Sequence, residues 1–140
     1  MSIRIKNDRD VMAVLLTVAP REASNLNRTT VHGIAGDVRD GIKAVAPDNP
    51  YTTRGDIVRS TKAKRERGSR YYAKSSVRIE TKRGGKKTAP YWTFIENGTV
   101  KMRARPFVRP LVEKTRPRLP MLYRKQFGLK LAARLARVSR

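Results

Sequence analysis

Residues 57–80 read IVRSTKAKRERGSRYYAKSSVRIE, and the period of this stretch decides the fold. Ile57, Arg59, Thr61 and Ala63 alternate with Val58, Ser60, Lys62 and Lys64. After a charged turn through Gly68, Tyr71, Ala73, Ser75, Val77 and Ile79 alternate with Tyr72, Lys74, Ser76, Arg78 and Glu80. Successive strand side chains point to opposite faces, so period two predicts an antiparallel hairpin over 55–80 with its loop at 65–69. Gly55 is expected to release the chain from a preceding turn into the first strand.

Upstream the period lengthens. Leu26, Thr30, Ile34, Val38, Ile42 and Val45 recur every three or four residues, which predicts an amphipathic helix over 21–46. Gly33, Gly36 and Gly41 each weaken that helix by roughly 1 kcal/mol relative to Ala, so its stability must come from packing, and small residues there let another backbone approach closely. Pro47, Asp48, Asn49 and Pro50 supply the turn that ends it. In the N-terminal segment 1–20, Val11, Leu15 and Val18 predict a short helix with Asp10 as N-cap and Pro20 as its stop.

Downstream, residues 81–88 (TKRGGKKT) form a basic loop with no apolar anchor. Ala89 to Glu96 is the most aromatic segment, and a short helix is expected within 89–98, with Tyr91, Phe94 and Ile95 on one face and Asn97-Gly98 closing it. Phe94, Ile95 and Phe107 are expected in the core. Residues 99–104 read as a short strand or loop. The region 106–140 is helical, opened by Pro106 and Pro110 and divided by Pro117 and Pro120, with Leu111, Thr115, Leu119 and Leu122 continuing into Phe127, Leu131, Leu135 and Val138. The stripe from Phe127 to Val138 reads either as the last core helix or as a subunit interface. Residues 1–140 thus form one α+β domain, a small antiparallel sheet packed against long helices.

Composition narrows the chemistry. The chain carries 33 Lys and Arg against 11 Asp and Glu, a formal charge of +22, with one His and no Cys. Without Cys there is no disulfide framework, thiolate zinc site or cysteine nucleophile, and one His makes no histidine metal cluster. The longest apolar stretch, Val11 to Ala19, is about half of a bilayer span, and the first ten residues lack a signal-peptide plan, so a soluble intracellular product without membrane contact is expected. The charge is uneven: residues 1–53 carry seven basic and six acidic side chains, whereas 54–140 carry 26 and five. Such concentrated charge repels itself in a compact state and is compensated by a polyanion or an acidic surface.

Catalysis finds little support. The carboxylates are scattered, and Asp37 and Asp40 read as solvated helix charges rather than an acid/base pair. His32 reads as a helix-surface imidazole. The segment Lys82 to Lys87 lacks the spacing of a nucleotide phosphate loop, which leaves a solvated loop with non-specific phosphate contact as its functional alternative. Tyr71, Tyr72, Tyr91 and Trp92 read as core residues, with base stacking as the second reading. The basic residues expected to touch DNA or a partner are Lys62, Lys64, Arg65, Arg67, Lys82, Arg83, Lys86, Lys87, Arg103 and Arg105. No enzyme activity and no cofactor are expected.

One ordered set of segments is more specific. A helix ends in Ala46-Pro47, followed by Tyr51-Thr52-Thr53-Arg54-Gly55-Asp56-Ile57-Val58-Arg59-Ser60, two strands, Ala89-Pro90-Tyr91-Trp92-Thr93-Phe94-Ile95-Glu96-Asn97-Gly98-Thr99, and Ala104-Arg105-Pro106-Phe107-Val108-Arg109-Pro110. From about residue 20 to the end, this order resembles the neck or tail-completion protein family of long-tailed bacteriophages, with its T-G-x-L-x-x-S, A-P-Y-x-x-x-x-E-x-G-T and P-F-x-x-P segments. The residues carrying the resemblance are Pro47, Gly55, Ser60, Pro90, Tyr91, Glu96, Gly98, Thr99, Pro106, Phe107 and Pro110. Arg54 stands where that family usually has Thr, Ile57 where it has Leu, and the high basicity is not a family feature. The resemblance implies a virion protein, made in the host cytoplasm and assembled at the head–tail junction as a hexameric or dodecameric ring. It further implies contact with neighbouring head-closure or adaptor and tail-terminator or tail-tube rings, and non-specific contact with the double-stranded DNA passing through or near it. The charge alone also fits a small basic nucleic-acid-binding protein of ribosomal or nucleoid type.

Overall fold

The computed structural model describes residues 2–3, 20–47, 55–69, 72–81 and 89–138. Among them the elements run β1 (Ser2–Ile3), α1 (Pro20–Val45), α2 (Gly55–Ser60), β2 (Thr61–Glu66), β3 (Lys74–Ile79), α3 (Trp92–Asn97), α4 (Val108–Thr115), a 3-10 turn (Arg116–Arg118) and α5 (Leu119–Val138). The expected class holds: a small antiparallel sheet packs on long helices in one domain.

The helix expected at 21–46 is α1. It begins at Pro20, whose fixed φ and missing N–H suit a first helical position. The short helix expected before it lies outside the described residues. Along α1 the buried positions Ala23, Leu26, Asn27, Thr30, Ile34, Val38 and Ile42 repeat at helical spacing. Its glycines do not meet another backbone: a Cβ at Gly41 would lie 3.2 Å from the Leu111 Cδ2 side-chain atom of α4, one at Gly33 3.0 Å from Gln126 Oε1, and one at Gly36 would meet nothing within 4 Å.

The hairpin departs from its expected bounds at both ends. Residues 57–60 are not strand but the one-turn helix α2, and Gly55 opens that turn instead of releasing a strand. The hydroxyls of Ser60 and Thr61 both donate to the Ile57 carbonyl, at 3.0 and 2.6 Å, local bonds that favour a turn over a ladder. Buried Ile57 satisfies either period, since one turn is too short to distinguish them. Strand pairing starts at Thr61↔Ile79 and continues to Glu66↔Lys74, so Arg65 and Glu66 belong to β2 rather than to the loop. The second strand begins at Lys74, not Tyr71. On its other side β3 pairs with β1 through Ile3↔Ser75 and Ser2↔Ser76, giving the order β1-β3-β2. Two residues show no alternation, so periodicity gives no sign of β1.

Thr61, Ala63 and Arg65 share the α1-facing side of the hairpin with Ile79, Val77 and Ser75, as their register requires. The opposite face carries Lys62, Lys64, Glu66, Lys74 and Arg78, with ion pairs Lys62–Glu80, Lys74–Glu66 and Arg78–Glu66. Two apolar clusters form the core. In one, the first half of α1 packs through Leu26, Val31 and Ile34 on Leu119, Tyr123 and Phe127 of α5. In the other, Val38 and Ile42 meet Ile57, Val77, Ile95 and Phe107.

Phe107 and Ile95 are buried as expected, but Phe94 is 55% exposed and is not core. With only six residues in α3, Ile95 and Trp92 take the inward side, and Phe94 is turned out. Tyr91 and Trp92 are half-buried against the second cluster, and Tyr72 is exposed; Tyr71 lies outside the described residues. Residues 99–102 form a tight turn closed by a Thr99↔Met102 bridge. Pro117 and Pro120 divide the last helical region as expected, Pro117 within the 3-10 turn and Pro120 in the first turn of α5. Phe127 and Leu131 of the terminal stripe pack on α1, which makes that part core.

Candidate functional site

Two constructions stand out: a carboxylate clip and an arginine-lined groove. The clip joins the two most distinctive segments of the chain. Glu96, buried on α3, accepts the backbone N–H groups of Phe107 at 2.8 Å and Val108 at 3.0 Å on Oε2, and that of Arg109 at 2.8 Å on Oε1. These are the unsatisfied donors of the first turn of α4, where a negative charge also meets the positive end of the helix dipole. Neither Pro106 nor Phe107 offers a capping side chain, so the cap is supplied from α3.

The chain between is held as tightly. Gly98 closes α3 at φ 75°, its N–H donating to the Phe94 carbonyl at 2.8 Å. A Cβ there would lie 2.8 Å from the Ala104 nitrogen and 2.9 Å from the Met102 carbonyl oxygen, so only glycine fits. Thr99 pairs with Met102, and the Arg105 N–H donates to the Ile95 carbonyl at 2.8 Å. Of the other positions carrying the resemblance, Ser60 is fully buried, Pro47 follows buried Ala46, and Pro110 sits in the first turn of α4. Pro90 and Pro106 are exposed.

The groove lies between the first three turns of α1 and the end of the β2–β3 hairpin. It has a volume of about 870 Å3, and Arg21, Arg28, Arg65 and Arg67 line it with Ser24 and Asn25. Arg21 and Arg28 are seven residues apart and so share one helix face; Arg65 lies near the end of β2 and Arg67 just beyond it, and both line the groove. None of the four makes an ion pair among the described residues. The nearest carboxylates are engaged elsewhere, Glu22 with Arg134 and Glu66 with Lys74 and Arg78.

The positive field reaches the neighbouring titratable groups. His32, next along the same helix face, is half-buried rather than a surface imidazole. Its Nδ1 lies 3.2 Å from Ser75 Oγ, and that hydroxyl donates its proton to the Lys64 carbonyl. The imidazole therefore donates from Nδ1 to the Ser75 hydroxyl oxygen. Burial, then the charges of Arg65, Arg39 and Lys130, hold its pKa below the usual histidine value. Burial also lowers the Lys130 ammonium, which Asp37 raises and Arg65 lowers further.

Of the basic residues singled out in the sequence, Arg65 and Arg67 are brought together in this groove. Lys62 is paired with Glu80, and Lys64 is exposed on the opposite sheet face. Arg103 and Arg105 are exposed on the loop before α4 and do not join the groove, while Lys82, Arg83, Lys86 and Lys87 lie outside the described residues. Arg21 and Arg28 escape a reading by regional charge, because the near-neutral balance of residues 1–53 averages over helix faces. Their helical spacing is the signal that finds them.

A second concavity of about 530 Å3 lies beside β3, where Val38, Ile42, Trp92 and Val112 meet Val77 and Arg78. Tyr91 Oη and Trp92 Nε1, at the start of α3, are buried nearby without hydrogen-bond partners among the described residues. Among the described residues no three His, Cys, Asp or Glu side chains cluster so as to hold a metal ion, and no helix is long and apolar enough to cross a membrane. The guanidiniums, Ser24 and Asn25 of the groove supply positive charge and hydrogen-bond donors suited to an anion. No protein-family model, curated protein or solved structure matches the chain.

Proposed function

We propose that this chain is a non-enzymatic structural subunit of a bacteriophage head–tail connector, assembling as a hexameric or dodecameric ring around or beside the DNA passage. The observation that supports the reading is the Glu96 clip. It makes the A-P-Y…E-x-G-T and P-F-x-x-P segments one structural unit, with Glu96, Gly98 and Phe107 each held by a specific contact. Residues that carry the resemblance thus occupy positions where alternatives are costly, as a shared fold requires. A ring needs a head-to-tail contact between two different surfaces of one subunit. Adjacent connector rings and the genome are the partners that would balance the charge of +22.

Native mass spectrometry and negative-stain imaging of the purified chain test this directly, alone and with the structural proteins encoded beside it. Closed rings are expected. A chain that stays monomeric at high concentration and with those neighbours sinks the reading. The arginine-lined groove favours the second reading, a small basic nucleic-acid-binding protein acting as monomer or dimer, which would bind DNA fully without forming rings.

A further inference from the structure

We propose that the groove between α1 and the β2–β3 hairpin is a binding site for the phosphodiester backbone of nucleic acid, gripped by Arg21 and Arg28 from the helix and Arg65 and Arg67 from the strand end. The proposal deepens the connector reading by naming the surface that meets the genome, and it rests on that reading only for the choice of duplex DNA as the natural ligand.

The argument begins with cost. Four guanidiniums around one groove repel one another, and no carboxylate among the described residues forms an ion pair with any of them. The fold had nearby means of neutralising them: Glu66 touches the groove, yet its carboxylate is committed to Lys74 and Arg78 on the opposite sheet face. An uncompensated cluster of this kind is relieved when an external anion enters.

The lining then selects the anion. Apart from Pro20 no apolar side chain lines the groove; its other walls are arginines, Ser24, Asn25, Gly68, Ser69 and the engaged Glu66. Protein partners bind chiefly through buried aromatic or apolar anchors at the interface centre, whereas a phosphate backbone is held by charge and hydrogen-bond donors alone. All four cations are arginine, whose planar fork matches two phosphate oxygens at once. Nothing in the groove is shaped to read bases, so binding is independent of sequence.

The test uses the full-length chain and a short fluorescently labelled DNA duplex of random sequence, with anisotropy measured across a salt series. Arg28→Gln with Arg65→Gln should weaken binding by about tenfold or more at low salt and reduce the slope of log affinity against log salt by about two, one for each phosphate no longer neutralised. Arg21→Gln with Arg67→Gln should do the same. Lys114→Gln with Arg116→Gln, an exposed pair of equal charge on α4 and the 3-10 turn, should change the slope far less. Thermal melts confirm that each variant is folded. Equal losses from the control pair, or no loss from either groove pair, overturn the proposal.

His32 supplies an independent readout because it is the only histidine. Phosphates seated against Arg65 should screen its charge and raise the His32 pKa, followed by NMR of the ring protons; an unchanged pKa at saturation overturns the assignment. Polyglutamate that binds as tightly, with the same arginine dependence, overturns it in favour of an acidic protein partner. Single-stranded DNA or RNA binding more tightly than duplex keeps the backbone site and replaces its natural ligand. Arginine-dependent binding by a chain that never forms rings sinks the connector reading and leaves the groove standing.

Discussion

The Tyr123 hydroxyl of α5 donates to Asn27 Oδ1 of α1 at 3.0 Å, a buried polar bond between residues 96 apart in sequence. It crosses the helix interface beside Leu26, Val31 and Phe127, where water cannot replace either partner. Tyr123→Phe should therefore destabilise the fold by about 1–3 kcal/mol, because the Asn27 carbonyl stays buried with one acceptor unmet. Urea unfolding measures the loss. Asn27→Leu with Tyr123→Phe should recover part of it, and a strictly additive double variant would show that the two side chains are not coupled.

Glu96→Gln keeps the size of the side chain but turns an NH2 group toward backbone N–H donors. Hydrogen bonds to a charged acceptor contribute about 1.5–3 kcal/mol, so a loss in that range is expected, with the start of α4 frayed. Hydrogen exchange at the Phe107, Val108 and Arg109 amides locates it. Protection equal to wild type at those three amides would refute the clip.

Two glycines should respond with opposite signs. Gly98→Ala places a Cβ 2.8 Å from the Ala104 nitrogen at a φ of 75°, and strain of about 1–3 kcal/mol follows. At Gly36, in the middle of α1, a Cβ meets nothing within 4 Å, so Gly36→Ala should stabilise by about 0.5–1 kcal/mol through helix propensity. Thermal melts of the two variants provide the comparison.

Phe107 and Phe94 make a similar pair. Phe107, 4% exposed, fills the second core cluster, and its replacement by Ala should cost about 3–5 kcal/mol. Phe94→Ala, on the exposed side of α3, should stay within about 0.5 kcal/mol of wild type. Equal melting temperatures for the two variants would contradict this placement.

Acid should act through Glu66 and His32. Hydrogen bonds from Lys74 and Arg78 hold the Glu66 carboxyl at about 2, below its ordinary value of 4.5. Its contribution is thus complete above pH 4.5 and is lost as pH falls toward 2. His32, also lowered, contributes fully above pH 6.5 and loses that contribution as pH falls through its folded value. Stability measured against pH should decline in both windows, and Glu66→Gln should flatten only the lower one.

Where the hydrophobic period is long, the sequence is a sufficient guide. Twenty-six residues of α1 repeat their apolar face often enough to fix both helix and buried side, and Pro117 and Pro120 mark the break before α5. Short segments are ambiguous. Ile57 to Ser60 fits either period, and only the hydroxyl bonds to the Ile57 carbonyl choose the turn. Phe94 defies its apolar character because a six-residue helix leaves its inward side to tertiary contacts. Arg65 and Arg67 are visible as charge, but their meeting with Arg21 and Arg28 depends on where α1 crosses the hairpin, which no local pattern contains.

The clip has a consequence for how the chain tolerates change. Glu96 bonds to Phe107 and Ile95 bonds to Arg105, so residues 98–104 depart and return through neighbouring points already fastened to each other. Val100 at the tip is fully exposed. The loop's ends are anchored by the domain rather than by the loop, and doubling its length would add only about 0.6 kcal/mol of closure entropy. Segments of different length and composition can therefore be exchanged between Thr99 and Met102 while α3 and α4 keep their positions, which makes this tip the place where the molecule can acquire a new contact without relearning how to fold.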